Sequence, residues 1–352
     1  MTTTANRGEW AELYALVSLL LNNSVPSLDS KLEPIPGKLF KFLELMRRDD
    51  GAVLKFVPYD SPLISSGSES LPTREHLERD ARLFWSELQS TEGRAFESKH
   101  GSKIMKSLGL IGLKAQSSEK VDLYARLAGL MGSDDRQLGF SIKSQVGANS
   151  TLLNPSGPTT FEYAVEGGSV DVEEINRINT HQKFRDRIKA IYDSGAKLVF
   201  SSLPSSTFRG NLDLIESNLT KYLADLLLVF YTTKNRTVLD TINHLASKSK
   251  DPMFEKKLKY SMKNFLRAVA LGMVPGTDWD GDLTAYGGYL FVMSDGKLGC
   301  FHLQKDDEFK TYLLENTKFD TASRSEGTQP CGELRRTDSG IKFSLRLQIR
   351  FA

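Results

Sequence analysis

Apolar residues along this chain change period, and that change restricts the fold to one combining helices with strands. Over residues 9–21 they fall at Trp10, Leu13, Tyr14, Val17, Leu20 and Leu21, the i, i+3, i+4, i+7 spacing of an amphipathic helix. Asn6 stands where a helix needs its N-cap, and Asn22-Asn23 where it needs a stop. Residues 37–48 and 74–89 carry helical spacing as well, and 53–72, rich in Pro, Ser and Gly, reads as a loop or an extended excursion. The period then shortens. Residues 120–127 and 138–144 read as strands, separated by Gly129, Gly132, Ser133 and the turn-forming pair Asp134-Asp135. A polar segment, 146–160, leads to a strand at 161–165. Residues 179–193 read as a basic helix, 197–202 as a buried strand, and 215–231 and 254–271 as long helices. The C-terminal end is β-rich, at 288–293, 298–303 and 341–351, with Asp295-Gly296 as a tight turn. The class these elements predict is mixed α/β.

At 352 residues the chain is long enough for two domains of about 150 residues, or one elaborated domain. Lys and Arg total 46 against 44 Asp and Glu, a net charge of +2 that does not by itself announce a nucleic-acid binder. Cys300 and Cys331 are too few for a disulfide framework or a four-thiolate zinc site and read as reduced structural thiols. No apolar run approaches the roughly 20 residues of a membrane span, and the N-terminus carries no export signal. A soluble, cytoplasmic protein is the expectation. Phosphate-binding P-loops, a dinucleotide-binding glycine fingerprint and a G-x-S-x-G elbow are absent. The five histidines are scattered, without ligand spacing, so histidine-centred metal or nucleophilic chemistry is a poor fit.

Chemistry concentrates in the hairpin. If the two strands pair antiparallel about a turn near residues 131–133, Asp122 lies directly across from Lys143. A carboxylate beside a lysine on a twisted hairpin is a nuclease arrangement. The carboxylate holds Mg²⁺ against the scissile phosphate, and the lysine orients or deprotonates the attacking water. The plainer reading of the same pair is a surface salt bridge.

The segment LGFSIKSQVGANSTLLNPSG (138–157) together with NRGEWAELY (6–14) resembles the HpaII family of type II restriction endonucleases. The resemblance extends through FRDRI (184–188), ALGM (270–273), LENTKFDTASRS (314–325) and LRLQIRF (345–351), nearly the whole chain. That family is similar to the PD-(D/E)xK nucleases, so the resemblance implies a restriction-endonuclease-like core: a mixed sheet flanked by helices. It places the helical N-terminal region and catalytic core in residues 1–205, and a C-terminal α+β lobe embracing DNA in 206–352. It implies Mg²⁺-dependent hydrolysis of double-stranded DNA at CCGG, blocked by cytosine methylation, and a cognate cytosine methyltransferase that protects the host. Monomer and homodimer both remain open. So do a non-catalytic DNA-binding role and a nuclease of different or modification-dependent specificity.

Two departures from the signature matter unequally. Val121 replaces its proline, which is minor. Ser141, in Ser141-Ile142-Lys143, replaces its second carboxylate, and a neutral hydroxyl is a weak Mg²⁺ ligand. An acid from elsewhere is then needed. Arg7-Gly8-Glu9-Trp10-Ala11-Glu12 resembles a basic-G-x-x-x-E motif in the first helix of resolvase-like members of the superfamily, which points to Glu12. Helical geometry points instead to Glu9, nearer the apolar stripe, and Glu162 is a third option. Both first-helix glutamates also suit a plain role in the helix dipole.

The polar segment after the catalytic strand offers base and phosphate contacts through Gln145, Asn149, Ser150, Thr151, Asn154 and Ser156. Guanine reading calls for arginine or lysine, for which Arg185 and Arg324 are candidates.

Overall fold

The computed structural model describes residues 3–63, 69–93, 95–113, 120–129, 137–147, 150–302, 306–322 and 331–352. The architecture is mixed α/β. Two compact units interleave along the chain: Met1–Ser150 with Ala270–Gly272 and Leu283–Tyr312, and Thr151–Val269 with Met273–Asp282 and Leu313–Ala352. Among the described residues no helix is long and apolar enough to cross a membrane.

The first unit is built on its opening helix, Arg7–Leu21. Asn6 caps it through a reciprocal box in which Glu9 N–H donates to Asn6 Oδ1 at 3.0 Å and Asn6 N–H donates to Glu9 Oε2 at 2.8 Å. Trp10, Ala11, Leu13, Ala15, Leu16, Val17, Leu19 and Leu20 are all buried, so this helix is enclosed around most of its circumference and is not one-sided. It packs between the helices Arg74–Ser90 and Lys99–Ser107 and a large sheet.

That sheet runs in the order Ser24–Leu28, Leu298–Phe301, Gly288–Val292, Leu138–Ser144, Leu123–Leu127, Pro34–Asp49, Ala52–Phe56, and closes because Pro34–Asp49 pairs back onto Ser24–Leu28. It is mixed: Gly288–Val292 lies parallel to Leu138–Ser144, and Leu123–Leu127 lies antiparallel to it. Asp295-Gly296 forms the expected turn, with Gly296 at φ 84° between antiparallel strands.

The helical spacing of residues 37–48 misleads, and the extended reading of 53–72 holds at its start. Residues 37–48 belong to a strand, Pro34–Asp49, and not to a helix. Phe42, Leu43, Leu45 and Met46 are all buried, so alternation is lost where both faces of the strand are covered, and helix-like spacing arises by coincidence. Residues 53–72 begin as strand as well, in Ala52–Phe56, after a reversal in which Asp50 and Gly51 take φ of 45° and 82°.

The second unit carries an antiparallel sheet in the order Lys197–Ser202, Thr160–Glu166, Gly340–Arg346, Leu334–Thr337. A smaller sheet joins Thr317–Phe319, Ile349–Phe351 and Thr151–Leu153. The expected single strand over 341–351 is therefore two strands in two sheets. The expected helix over 215–231 is Leu219–Thr232, preceded by a separate helix, Ser206–Ile215.

Candidate active site

Asp122 and Lys143 are not directly opposed. Leu123 pairs with Phe140, two residues out of the expected register. Because side chains alternate with period two, a two-residue slip leaves every residue on its expected face. The ladder ends at that pair. Asp122 N–H donates to the Phe140 carbonyl at 2.9 Å, so two successive residues meet one partner, a bulge that re-aims the aspartate. Asp134 and Asp135 lie outside the described residues.

The carboxylate of Asp122 reaches the neighbouring strand. Its Oδ2 accepts from the Ile142 N–H at 2.7 Å and from the Ser141 hydroxyl at 3.1 Å. Oδ1 takes no hydrogen bond from the described residues and is available to a ligand. Ser141 is buried, and its hydroxyl fixes one oxygen of the Asp122 carboxylate.

Lys143 lies on the same strand, with its ammonium 5.4 Å from the ring centre of the fully buried Tyr289. Asp122 faces the same tyrosine: burial first, and then the charge of Asp122, push its phenol well above its ordinary range. No carboxylate forms an ion pair with Lys143 among the described residues, so its charge is held by a ring face and not neutralised by an acid.

Glu12 completes the cluster. It is half-buried on the first helix, which packs on the Leu138–Ser144 strand. Burial, and then the charge of Asp122, push its carboxyl up to about 8, opposed by Arg47 and Lys143 and reinforced slightly by Glu9. Glu12 therefore feels both members of the hairpin pair. The stripe argument favoured Glu9 because it assumed that one helix face packs; with the helix enclosed, position 12 also points inward. Glu9 has its carboxylate in the N-terminal capping box. Glu162 is held at 3.0 Å by both Arg335 and Lys342 and accepts from the Ser202 hydroxyl at 3.2 Å. Burial opposes that ionisation, but the hydrogen bond and charge of Lys342, with Ser202 and Arg335, keep the carboxyl below its usual range.

Two cations were missed in the sequence. Arg47, 4% exposed, donates to the Leu113 carbonyl and acts on Glu12. Lys120 is pushed down to about 8 by burial and by Lys143, with Asp122 pulling the other way. Its position two residues before Asp122, and so on the same face of an extended segment, was the available signal. Arg47 had none, because it sits in the strand read as a helix.

The candidate DNA contacts divide. Gln145 and Asn154 are exposed, and the Gln145 side-chain oxygen accepts from Ser294 N–H at 3.3 Å. The Ser150 hydroxyl donates to the Ser144 carbonyl at 3.3 Å, Thr151 pairs with Arg350 in the small sheet, and Ser156 organises its own loop through Thr159. The Arg185 guanidinium is taken up by the carbonyls of Phe230, Tyr231 and Thr233, where it closes a helix C-terminus. Asn149 and Arg324 lie outside the described residues.

Residues 6–351 match the HpaII restriction endonuclease family. The chain is 33% identical over 360 residues to the type II restriction enzyme HpaII of Haemophilus parainfluenzae, a span of 99% of this chain and 98% of that relative. No solved structure matches it.

Proposed function

Since the chain belongs to the HpaII restriction endonuclease family and is thereby a type II site-specific deoxyribonuclease acting on DNA, we propose that Asp122, Glu12 and Lys143 carry its phosphodiester hydrolysis. The observation that supports this most is the packing of the first helix on the Leu138–Ser144 strand, which brings a second carboxyl, the half-buried Glu12, under the charges of Asp122 and Lys143. The fold proposed for the closed mixed sheet and its helices is a variant of the restriction-endonuclease core, with the second unit embracing the DNA.

Among the described residues no group of three or more His, Cys, Asp or Glu side chains is placed to hold a metal. Mg²⁺ needs less, because it is usually bound through one or two carboxylates and the substrate phosphate, with waters filling the rest. The donor set fits. Asp122 Oδ1 takes no hydrogen bond from the described residues, and Glu12 is an acid whose pKa burial and a like charge raise, so that it would give up its proton to a bound cation. When bound there, Mg²⁺ polarises the scissile phosphate and neutralises charge developing on it.

The remaining roles belong to the chain. Ser141 and the Ile142 N–H fix the aspartate's orientation before substrate binds. Lys143, held over Tyr289 with no carboxylate in ion-pair reach among the described residues, orients the attacking water and offers positive charge to the pentavalent phosphate. In-line attack leaves a 5′-phosphate. Exposed Gln145 and Asn154 are placed after the catalytic strand to contact base edges or phosphates.

Family membership further suggests CCGG as the site, cleavage between the cytosines, blockage by cytosine methylation, a cytoplasmic location and a protecting methyltransferase. Incubating unmethylated and methylated plasmid with Mg²⁺ or EDTA and sequencing the ends tests this reading. Mg²⁺-dependent 5′-phosphate ends at CCGG in unmethylated DNA support it. Specific binding without cleavage identifies a DNA-binding protein that has lost catalysis, and ends at another sequence overturn the specificity.

A further inference from the structure

The second unit contains a cavity of about 360 Å³ lined by His181, Lys183, Phe184, Arg185, Tyr231 and Arg236. The guanidinium carbons of Arg185 and Arg236 stand 5.1 and 5.3 Å from the centre of a single ring, that of Phe230. Burial, and then the charge of Arg236, lower the pKa of Arg185, as two cations brought together require. Arg185 is satisfied by backbone carbonyls; Arg236 is exposed and pairs with no carboxylate among the described residues. The neighbourhood's acids are engaged elsewhere. Asp186 accepts from the Thr180 hydroxyl, and Asp320 pairs with Arg350 at 2.7 Å.

The helix Lys183–Asp193 opens onto the same cavity. Its N-cap, Gln182, makes no side-chain cap bond and the Lys183 N–H is taken by the Thr180 carbonyl at 3.3 Å, so what the first turn offers is the positive end of the helix dipole. The wall carries His181 and Lys183 beside the two arginines, so four basic side chains and no acidic one line the cavity among the described residues. Cations gathered without acidic partners at the N-terminal end of a helix ask for one kind of ligand, a compact oxyanion.

We propose that this cavity binds a backbone phosphate of the DNA substrate, as a positioning contact without sequence preference. The proposal rests on the endonuclease reading, and it names one place where the second unit grips DNA. A free phosphate ion shares the chemistry and is separated by experiment.

The test is binding of a cognate and a scrambled duplex by full-length protein in Ca²⁺ across a range of salt, for wild type, Arg236→Ala and Lys183→Ala. Arg236 is exposed, so its removal leaves the fold intact. The expected result is a log affinity–log salt slope smaller by about 0.9 in Arg236→Ala, and similarly in Lys183→Ala, with both duplexes weakened equally. Wild-type slopes in both variants overturn the proposal. Calorimetric titration of inorganic phosphate into wild type and Arg236→Ala supplies the second arm: phosphate binding with an unchanged DNA slope assigns the cavity to a free anion and also overturns it. Failure of wild type to bind either duplex is visible before any variant is compared, and takes the endonuclease reading down with the proposal.

Discussion

The Ser141 hydroxyl donates to Asp122 Oδ2 at 3.1 Å, so the residue at the position of the missing carboxylate holds the carboxylate that remains. A hydrogen bond to a charged group is worth about 1.5–3 kcal/mol. Ser141→Ala is expected to slow single-turnover cleavage about tenfold, about 1.4 kcal/mol of barrier, while specific binding in Ca²⁺ stays at the wild-type level. A Ser141→Ala enzyme that cuts at the wild-type rate would remove the serine from the account.

Asp122→Asn and Lys143→Ala should each abolish cleavage. The first removes the charge proposed to hold the cation, and the second the one cationic side chain of Leu138–Ser144. Neither is assigned a base contact, so both proteins should retain specific DNA affinity in Ca²⁺, measured by gel shift. Loss of binding in step with cleavage would mark them as structural.

Stability against pH follows from two half-buried groups. Glu12 keeps its proton up to about 8 in the folded chain, against an ordinary value of 4.5. Between those values the folded state binds the extra proton, so stability without metal falls as pH rises, by at most about 3 kcal/mol at neutrality. Lys120 acts in the opposite sense: it loses its proton near 8 when folded and near 10.5 when unfolded, so stability recovers across that interval. Denaturant titrations in EDTA should show a minimum near pH 8, with Glu12→Gln removing the falling arm and Lys120→Met the rising one. Divalent-cation affinity should increase with pH up to the same point, because the cation displaces the Glu12 proton. Stability that is flat across this range would contradict both assignments.

What the sequence made legible depended on how local the determinants were. The first helix was readable because its cap, Asn6, and its apolar spacing are contiguous, and Leu138–Ser144 because the run of Gly, Ser and Asp before it is a local signal. The strand Pro34–Asp49 was not, since burial on both faces erases alternation. The hairpin's faces were right and its register was wrong, because pattern fixes parity and only packing fixes the pairing. Arg47 escaped notice for the same reason as its strand. Arg185 looked like a base reader because sequence shows a charge but not the carbonyls it meets.

The central claim is that Glu12 supplies the acid that Ser141 does not. Single-turnover cleavage of an unmethylated cognate duplex in Mg²⁺ by Glu12→Gln, Glu9→Gln and Glu162→Gln tests it most directly. Glu12→Gln keeps the side chain's shape and removes its charge, and is expected to lower the rate at least about 100-fold, about 2.7 kcal/mol. Glu9→Gln should mainly loosen the helix cap, and Glu162→Gln should weaken only its ion pairs with Arg335 and Lys342. A wild-type rate in Glu12→Gln, or a loss of cleavage confined to Glu162→Gln, would contradict the account.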